Sequence, residues 1–301
     1  MLQLLSVFAN VLAPVFIILA IAYVATQRLG LEGRTLSRIA YYVLTPAFVF
    51  NVIGTARIEA ALATRMVTFI TLVYVGSVVI AFAIARLLRR DRKMVAAYMM
   101  IAAFGNVGNF GLPIAQFAQG SQALLPATVY FLANLVFAFV LCVMLANSGR
   151  GTVVQALARV ARTPALIALI PALVVNAAGV QLPSFAARSV ELLAAAMIAI
   201  MLIALGAQFA NAGIPRLGFD MLVAAGIRLI GGPLLAFALV GLFDLPPLER
   251  NVGILQASMP AAVLVSIIAV ENDVMPEFVT ATVLFSNLAS IITLSLVLAA
   301  L

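Results

Sequence analysis

The chain has 301 residues, of which 65% are hydrophobic and 9% charged, with a formal charge of +7 and no histidine. Soluble domains carry about 25% charged residues, so this composition, with a mean hydropathy of +1.23, excludes a soluble fold and identifies an integral membrane protein. Without histidine the commonest general base and metal ligand is missing, and the positive charge reads as cytoplasmic loops rather than a nucleic-acid surface.

The first 25 residues, "MLQLLSVFANVLAPVFIILAIAYVA", have no basic n-region. They predict a spanning helix rather than a cleaved signal peptide. Stretches of about 20 apolar residues are transmembrane candidates. Ten follow in order, at 5–27, 37–54, 65–88, 94–118, 122–146, 164–180, 188–210, 218–243, 250–270 and 277–300. The expected fold is therefore all-α, with ten transmembrane helices. Breaks fall at charged or Gly/Pro-rich pieces such as "RRDRK" (89–93) and "FDLPP" (243–247).

Span 2 contains Thr45, Pro46 and Asn51, which are candidates for the wall of a pocket, although Pro46 alone could also be a simple kink. Span 4 contains "FGNVGNFGLP" (104–113), with two amides, three glycines and a proline in an otherwise apolar run. Proline lacks an N–H and clashes with the carbonyl four residues earlier, here that of Asn109. Gly105, Gly108 and Gly111 weaken the helix and allow close backbone approach. Span 5 carries Asn134 and the one cysteine, Cys142, which can form no intrachain disulfide.

The longest polar connection, "SGRGTVVQALARVARTP" (148–164), divides the chain into five spans and five spans. The expected organisation is a first repeat at 1–147, a linker at 148–163 and a second repeat at 164–301. Residues 152–162 within the linker read either as a short amphipathic helix on the cytoplasmic surface or as a plain basic connection. An odd number of spans per half makes the second half enter the membrane from the opposite side, which predicts an inverted repeat.

In the second half, Arg228 lies within span 8. An intramembrane charge is a functional hypothesis by default, here as an attractor for a carboxylate, while snorkelling to an interface is the structural alternative. Span 9 reads "VGILQASMPAAVLVSIIA" (252–269), with Pro260 facing the carbonyl of Gln256. Interrupted segments at corresponding places in two halves point to a transport site. Spans 4 and 9 are thus expected to be broken helices crossing near the bilayer midplane. Their half-helix N-termini would offer partial positive charge to an anion, and Asn106, Asn109, Gln256 and Ser258 would add neutral donors and acceptors. Asn134 and Asn287, in the last span of each half, are expected to support the freed backbone.

Basic residues set the orientation. Arg28, Arg34, Arg38, Arg86, Arg89, Arg90, Arg92, Lys93, Arg150, Arg159, Arg162 and Arg216 fall on one side, against Arg57, Arg65, Arg188 and Arg250 on the other. The positive-inside rule then puts both termini outside the cytoplasm. No acidic residue lies inside either interrupted segment: Asp91 precedes span 4 and Glu249 opens span 9, while Glu271 and Asp273 follow span 9. A carboxylate proton relay at the crossing is disfavoured, whereas sodium coupling through oxygen ligands and uniport both remain open. No cofactor is expected.

"GNVGNFGLPIA" and "LQASMPAAVLVSIIA", in a ten-span chain of this length, resemble the auxin efflux carrier family, which includes plant auxin exporters and bacterial malonate-type transporters. Asn106, Gly111 and Pro113 match its Asn and Gly-x-Pro in span 4. Met259 and Pro260 match its span 9 crossover, and Pro46 in "YYVLTPAFVF" matches span 2. The short central loop departs from the plant exporters. The resemblance implies a scaffold of spans 1, 2, 6 and 7, a transport unit of spans 3–5 and 8–10 moving as an elevator, a homodimer, and residence in a bacterial inner membrane. It further implies a small organic anion as substrate, malonate-like first and auxin-like aromatic acids second. A membrane-embedded enzyme would need acid–base or metal groups that are missing, and a passive channel would be expected to show a ring of pore-lining groups.

Overall fold

The computed structural model describes residues 8–56, 59–146, 153–211 and 217–301. Expectations for Arg57, Arg150, Arg216, the first seven residues and the start of the central linker lie outside them. The described chain is helical throughout, with no strand beyond one isolated antiparallel bridge. Among the described residues, seven helices are long and apolar enough to cross a membrane.

Helices α1 (Phe8–Leu29), α2 (Gly33–Gly54) and α3 (Ala60–Leu87) come first. The fourth apolar stretch is two pieces, α4 (Arg92–Ala103) and α5 (Leu112–Gln119), the latter preceded by a wide turn at Val107–Gly111. Next come α6 (Leu124–Ala146), a short α7 (Val153–Ala161), a shorter apolar helix α8 (Pro164–Ala178), α9 (Ser184–Asn211) and α10 (Phe219–Val240). The ninth stretch is also two pieces, α11 (Pro247–Ala257) and α12 (Val263–Glu271), and α13 (Pro276–Ala300) closes the chain. The segment that could have been a plain linker is thus helical as α7, with Ala156 and Val160 buried and Val154 and Leu157 exposed.

Proline chemistry shapes four of these elements. π-helical turns at Phe8–Leu12, Ala40–Leu44, Val107–Gly111 and Ile227–Gly231 each end two residues before a proline, namely Pro14, Pro46, Pro113 and Pro233. Widening the turn relieves the ring's clash with the preceding carbonyls. Just before Pro46 the Ala40 carbonyl accepts twice from Thr45, from its backbone N–H and from its Oγ1 at 2.8 Å. Pro46 therefore sits in a widened but continuous helix.

The helices pack in two groups. α1, α2, α8 and α9 pack on one another, and α3 to α6 pack with α10 to α13. The groups meet where α9 touches the Val107–Gly111 turn, α5 touches α1, and α2 touches α6, with Phe16 edge-on to Phe110 at 5.7 Å. Polarity is distributed inside out. Ile17, Ile21, Val79, Ile170, Leu192 and Ile292 are exposed, while Asn106, Asn134, Arg228, Gln256 and Asn287 are buried. Water would disfavour such an outer surface, whereas lipid suits it.

Ion pairs tie α3, α4 and the turn between them to α10, the loop after α10 and the turn after α12. Arg90 Nε meets Asp220 Oδ1 at 2.8 Å, Lys93 Nζ meets Asp273 Oδ2 at 2.6 Å, and Arg65 Nη1 meets Asp244 Oδ2 at 3.3 Å. Tyr98 donates to the same Asp220 oxygen at 2.7 Å. The Lys93 ammonium, by hydrogen bond and charge, holds the Asp273 carboxyl below the usual carboxylate range.

Candidate functional site at the crossing of two broken helices

The two helix breaks meet. Residues 104–106 and 260–262 run antiparallel, with Gly105 opposite Ala261. Asn106 N donates to the Pro260 carbonyl at 2.7 Å and Ala262 N to the Phe104 carbonyl at 2.8 Å. Each segment thus satisfies backbone groups that the other's helix break has freed, which apolar surroundings require. Pro260 lies within its break. Pro113 does not: the chain opens at 104–106, and Pro113 sits in the first turn of α5, where its missing N–H is not needed. The clash anticipated at Asn109 is absorbed by the widened Val107–Gly111 turn.

Four half-helix ends converge here. The C-termini of α4 and α11 arrive at Ala103 and Ala257, while the Val107 turn and α12 depart. Arg228, fully enclosed, lies across both C-termini. Its Nε donates to the Met259 carbonyl at 2.7 Å, Nη1 to Ala102 at 2.9 Å and Nη2 to Ala257 at 3.3 Å. The guanidinium also sits 5.4 Å from the centroid of the Tyr74 ring, a cation–π distance. Gly105 makes this approach possible, since a Cβ there would collide with Nη2. Arg228 neither snorkels nor faces open space; it binds backbone.

The asparagines are placed by this backbone. Asn287 Nδ2 donates to the Ala261 carbonyl at 2.9 Å and to Val283 at 2.8 Å, and its Oδ1 accepts from Asn106 Nδ2 at 3.0 Å. Asn134 Nδ2 donates to the Ala103 carbonyl at 3.1 Å, while its buried Oδ1 has no hydrogen-bond partner among the described residues. Ser258 Oγ donates to Ile254 at 2.7 Å.

Gln256 is different. It is fully buried, and neither Oε1 nor Nε2 has a hydrogen-bond partner among the described residues. Its amide fills the space that a Cβ on Gly111 would take. Leaving a buried amide unpaired costs roughly 1–3 kcal/mol, so this group is poised for a ligand or an ordered water.

The crossing therefore gathers Asn106, Gly111, Gln256, Ser258, Met259, Pro260, Arg228, Asn134 and Asn287. Asn109 is half-buried on the adjoining turn and Pro113 opens the helix that follows. Thr45, Pro46 and Asn51 lie on α2, whose Leu44, Phe48, Val49 and Ile53 share apolar clusters with residues of the crossing. Asn51 lines a separate open cavity of about 460 Å³ with Phe50, Thr55, Val175, Gln181 and Glu191. Sequence reasoning missed Tyr74, which backs Arg228, and Ser286, whose Oγ accepts from Ala261 N at 3.2 Å. A polar group in an apolar span was the available signal for both. Among the described residues no three His, Cys, Asp or Glu side chains gather as a metal site.

Known proteins are similar to this chain along most of its length. A protein named "Putative malonate transporter" from Rhizobium meliloti is 27% identical over 298 residues, covering 94% of this chain and 92% of its own length. Uncharacterized transporters from Methanothermobacter thermautotrophicus and Methanocaldococcus jannaschii are 25% and 23% identical, each covering 88% of both chains. The family model described as "Membrane transport protein" matches residues 7–298. The chain is a multi-pass membrane transporter, not an enzyme, and belongs to this membrane transport protein family, that of the auxin efflux carriers.

Proposed function

We propose that the protein is a secondary transporter of small organic anions, with malonate-like carboxylates as the first substrate class. The observation that carries this reading is the unpaired Gln256 amide, buried at a crossing where two half-helices begin. Half-helix N-termini attract anions, and a neutral amide can bind a carboxylate and still release it. The name of the Rhizobium relative points to the same class.

The mechanism proposed with it is elevator-type alternating access. α3 to α6 and α10 to α13 carry the crossing, and α1, α2, α8 and α9 form the scaffold. Counting each broken pair as one span gives ten spans in two inverted repeats. The ion pairs fit that count: Arg90, Lys93, Asp220 and Asp273 fall on one expected side, and Arg65 and Asp244 on the other. A homodimer in a bacterial inner membrane, with both termini outside the cytoplasm, completes the proposal.

Binding of radiolabelled malonate to purified protein tests the site. Saturable binding that is lost in Gln256→Leu is expected. Equal binding by wild type and variant would remove the crossing as the site, and no binding by wild type of malonate or of an aromatic acid would remove the substrate class.

A further inference from the structure

We infer that Arg228 is a tethered cation occupying the place where a mobile coupling cation would otherwise bind. In transporters with interrupted helices, half-helix C-terminal carbonyls form the sodium site and half-helix N-termini face the anion. Here the carbonyls are those of Ala102 and Ala257 at the two C-termini and of Met259 in the unwound segment beyond, and the guanidinium holds all three at 2.7–3.3 Å. They converge from two half-helices that are distant in sequence, and Gly105 has no side chain where Nη2 passes.

Charge bookkeeping gives the same assignment. A half-helix end carries roughly half a unit charge. Two C-termini and two N-termini at one crossing cancel, so without Arg228 the crossing is about neutral. With Arg228 it is about +1, which offsets one carboxylate charge with no accompanying cation and leaves a malonate-like dianion with one net negative charge there. The inference therefore deepens the anion-transport reading, but its physical core, a cation site filled by a side chain, stands on the carbonyl geometry alone. Two consequences follow: the wild type has no sodium-specific site at these carbonyls, and removing the guanidinium opens one.

Thermal unfolding of the full-length protein in detergent, with sodium, potassium or choline chloride at equal ionic strength, measures this without any substrate. The wild-type midpoint is expected to be the same in all three salts. Arg228→Ala is expected to unfold at a lower midpoint in choline. That midpoint should rise with the logarithm of sodium or low-millimolar guanidinium concentration, the signature of a ligand bound only by the folded state. Arg228→Lys, which keeps the charge, should show no such response. A sodium-specific rise in wild type would overturn the inference, as would a folded Arg228→Ala that ignores every cation. If Arg228→Ala does not accumulate, Arg228→Met and Arg228→Lys decide. Recovery of the Lys variant alone supports the tethered cation, and recovery of the Met variant alone refutes it. Absence of malonate uptake would overturn the substrate reading and leave this result untouched.

Discussion

Replacing Asn287 by alanine tests the idea that the crossing is held by side-chain amides. The change removes two bonds between segments, one to the Ala261 carbonyl at 2.9 Å and one from Asn106 Nδ2 at 3.0 Å. The bond to Val283 lies within the same helix and is a lesser loss. Asn106 and Asn287 are almost completely buried, so water does not replace the lost partners. Each such bond is worth about 0.5–1.5 kcal/mol in a membrane protein, giving a total of roughly 1–3 kcal/mol. Asn134→Ala removes one bond, to Ala103, and its Oδ1 is already unpaired. Both substitutions delete the same atoms, so packing losses are comparable and the hydrogen-bond difference is isolated. The expected cost of Asn134→Ala is about half that of Asn287→Ala. Adding Asn106→Ala closes a double-mutant cycle with Asn287, for which a coupling of about 0.5–1.5 kcal/mol is expected. Reversible unfolding in mixed micelles or bicelles supplies the energies. Equal costs for the two asparagines, or strict additivity of Asn106 and Asn287, would refute the reasoning.

Other outcomes follow from the same contacts. Gly111→Ala should abolish transport and lower stability because its methyl group takes the space of the Gln256 amide; Gln256→Ser should restore the stability but not the transport, and a fully active Gly111→Ala would contradict that packing. Gly206→Ala should destabilise the α1–α9 contact, since its Cβ would lie 2.6 Å from the Leu19 carbonyl, by roughly 1–3 kcal/mol as for overpacking in a tight core, measured by the same unfolding assay. Lys93 lowers the Asp273 pKa, so any stabilisation is present above the ordinary carboxylate range and is lost as pH falls through the lowered value. Both side chains are exposed, so Asp273→Asn should leave the unfolding midpoint unchanged at physiological salt; a large drop there would show that the pair matters more than its exposure implies.

Much of the architecture was legible because bilayer thickness imposes a length that hydropathy reveals. The long helices appear near their expected places, and the interruptions at 104–113 and around Pro260 announced themselves by composition. The exact position of the first break was not legible. Pro113 predicts a disturbance nearby, but proline can be met by a break, a kink or a widened turn, and the structure uses the widened turn at Pro14, Pro46, Pro113 and Pro233. Arg228 was visible as an anomaly while its partners were not. Backbone carbonyls carry no sequence signature, and those of Ala102, Ala257 and Met259 become acceptors only once two distant segments meet. Gln256 was picked out for its polarity; that it would stay unpaired depends on Gly111 packing against it, a relation between segments 145 residues apart in the chain. Thr45, Pro46 and Asn51 were picked out by a pattern along the sequence; their neighbours Leu44, Phe48, Val49 and Ile53 on α2 share the apolar clusters that enclose the crossing, a relation that only the packing of distant segments reveals.

The central claim is that a small organic anion passes through this crossing. Uptake of radiolabelled malonate into proteoliposomes, comparing wild type with Asn106→Ala and Gln256→Leu under imposed ion gradients and membrane potentials, tests it most directly. The expected result is saturable uptake by wild type, insensitive to sodium and lost in both variants although they remain folded. Uptake that survives both substitutions would contradict the claim.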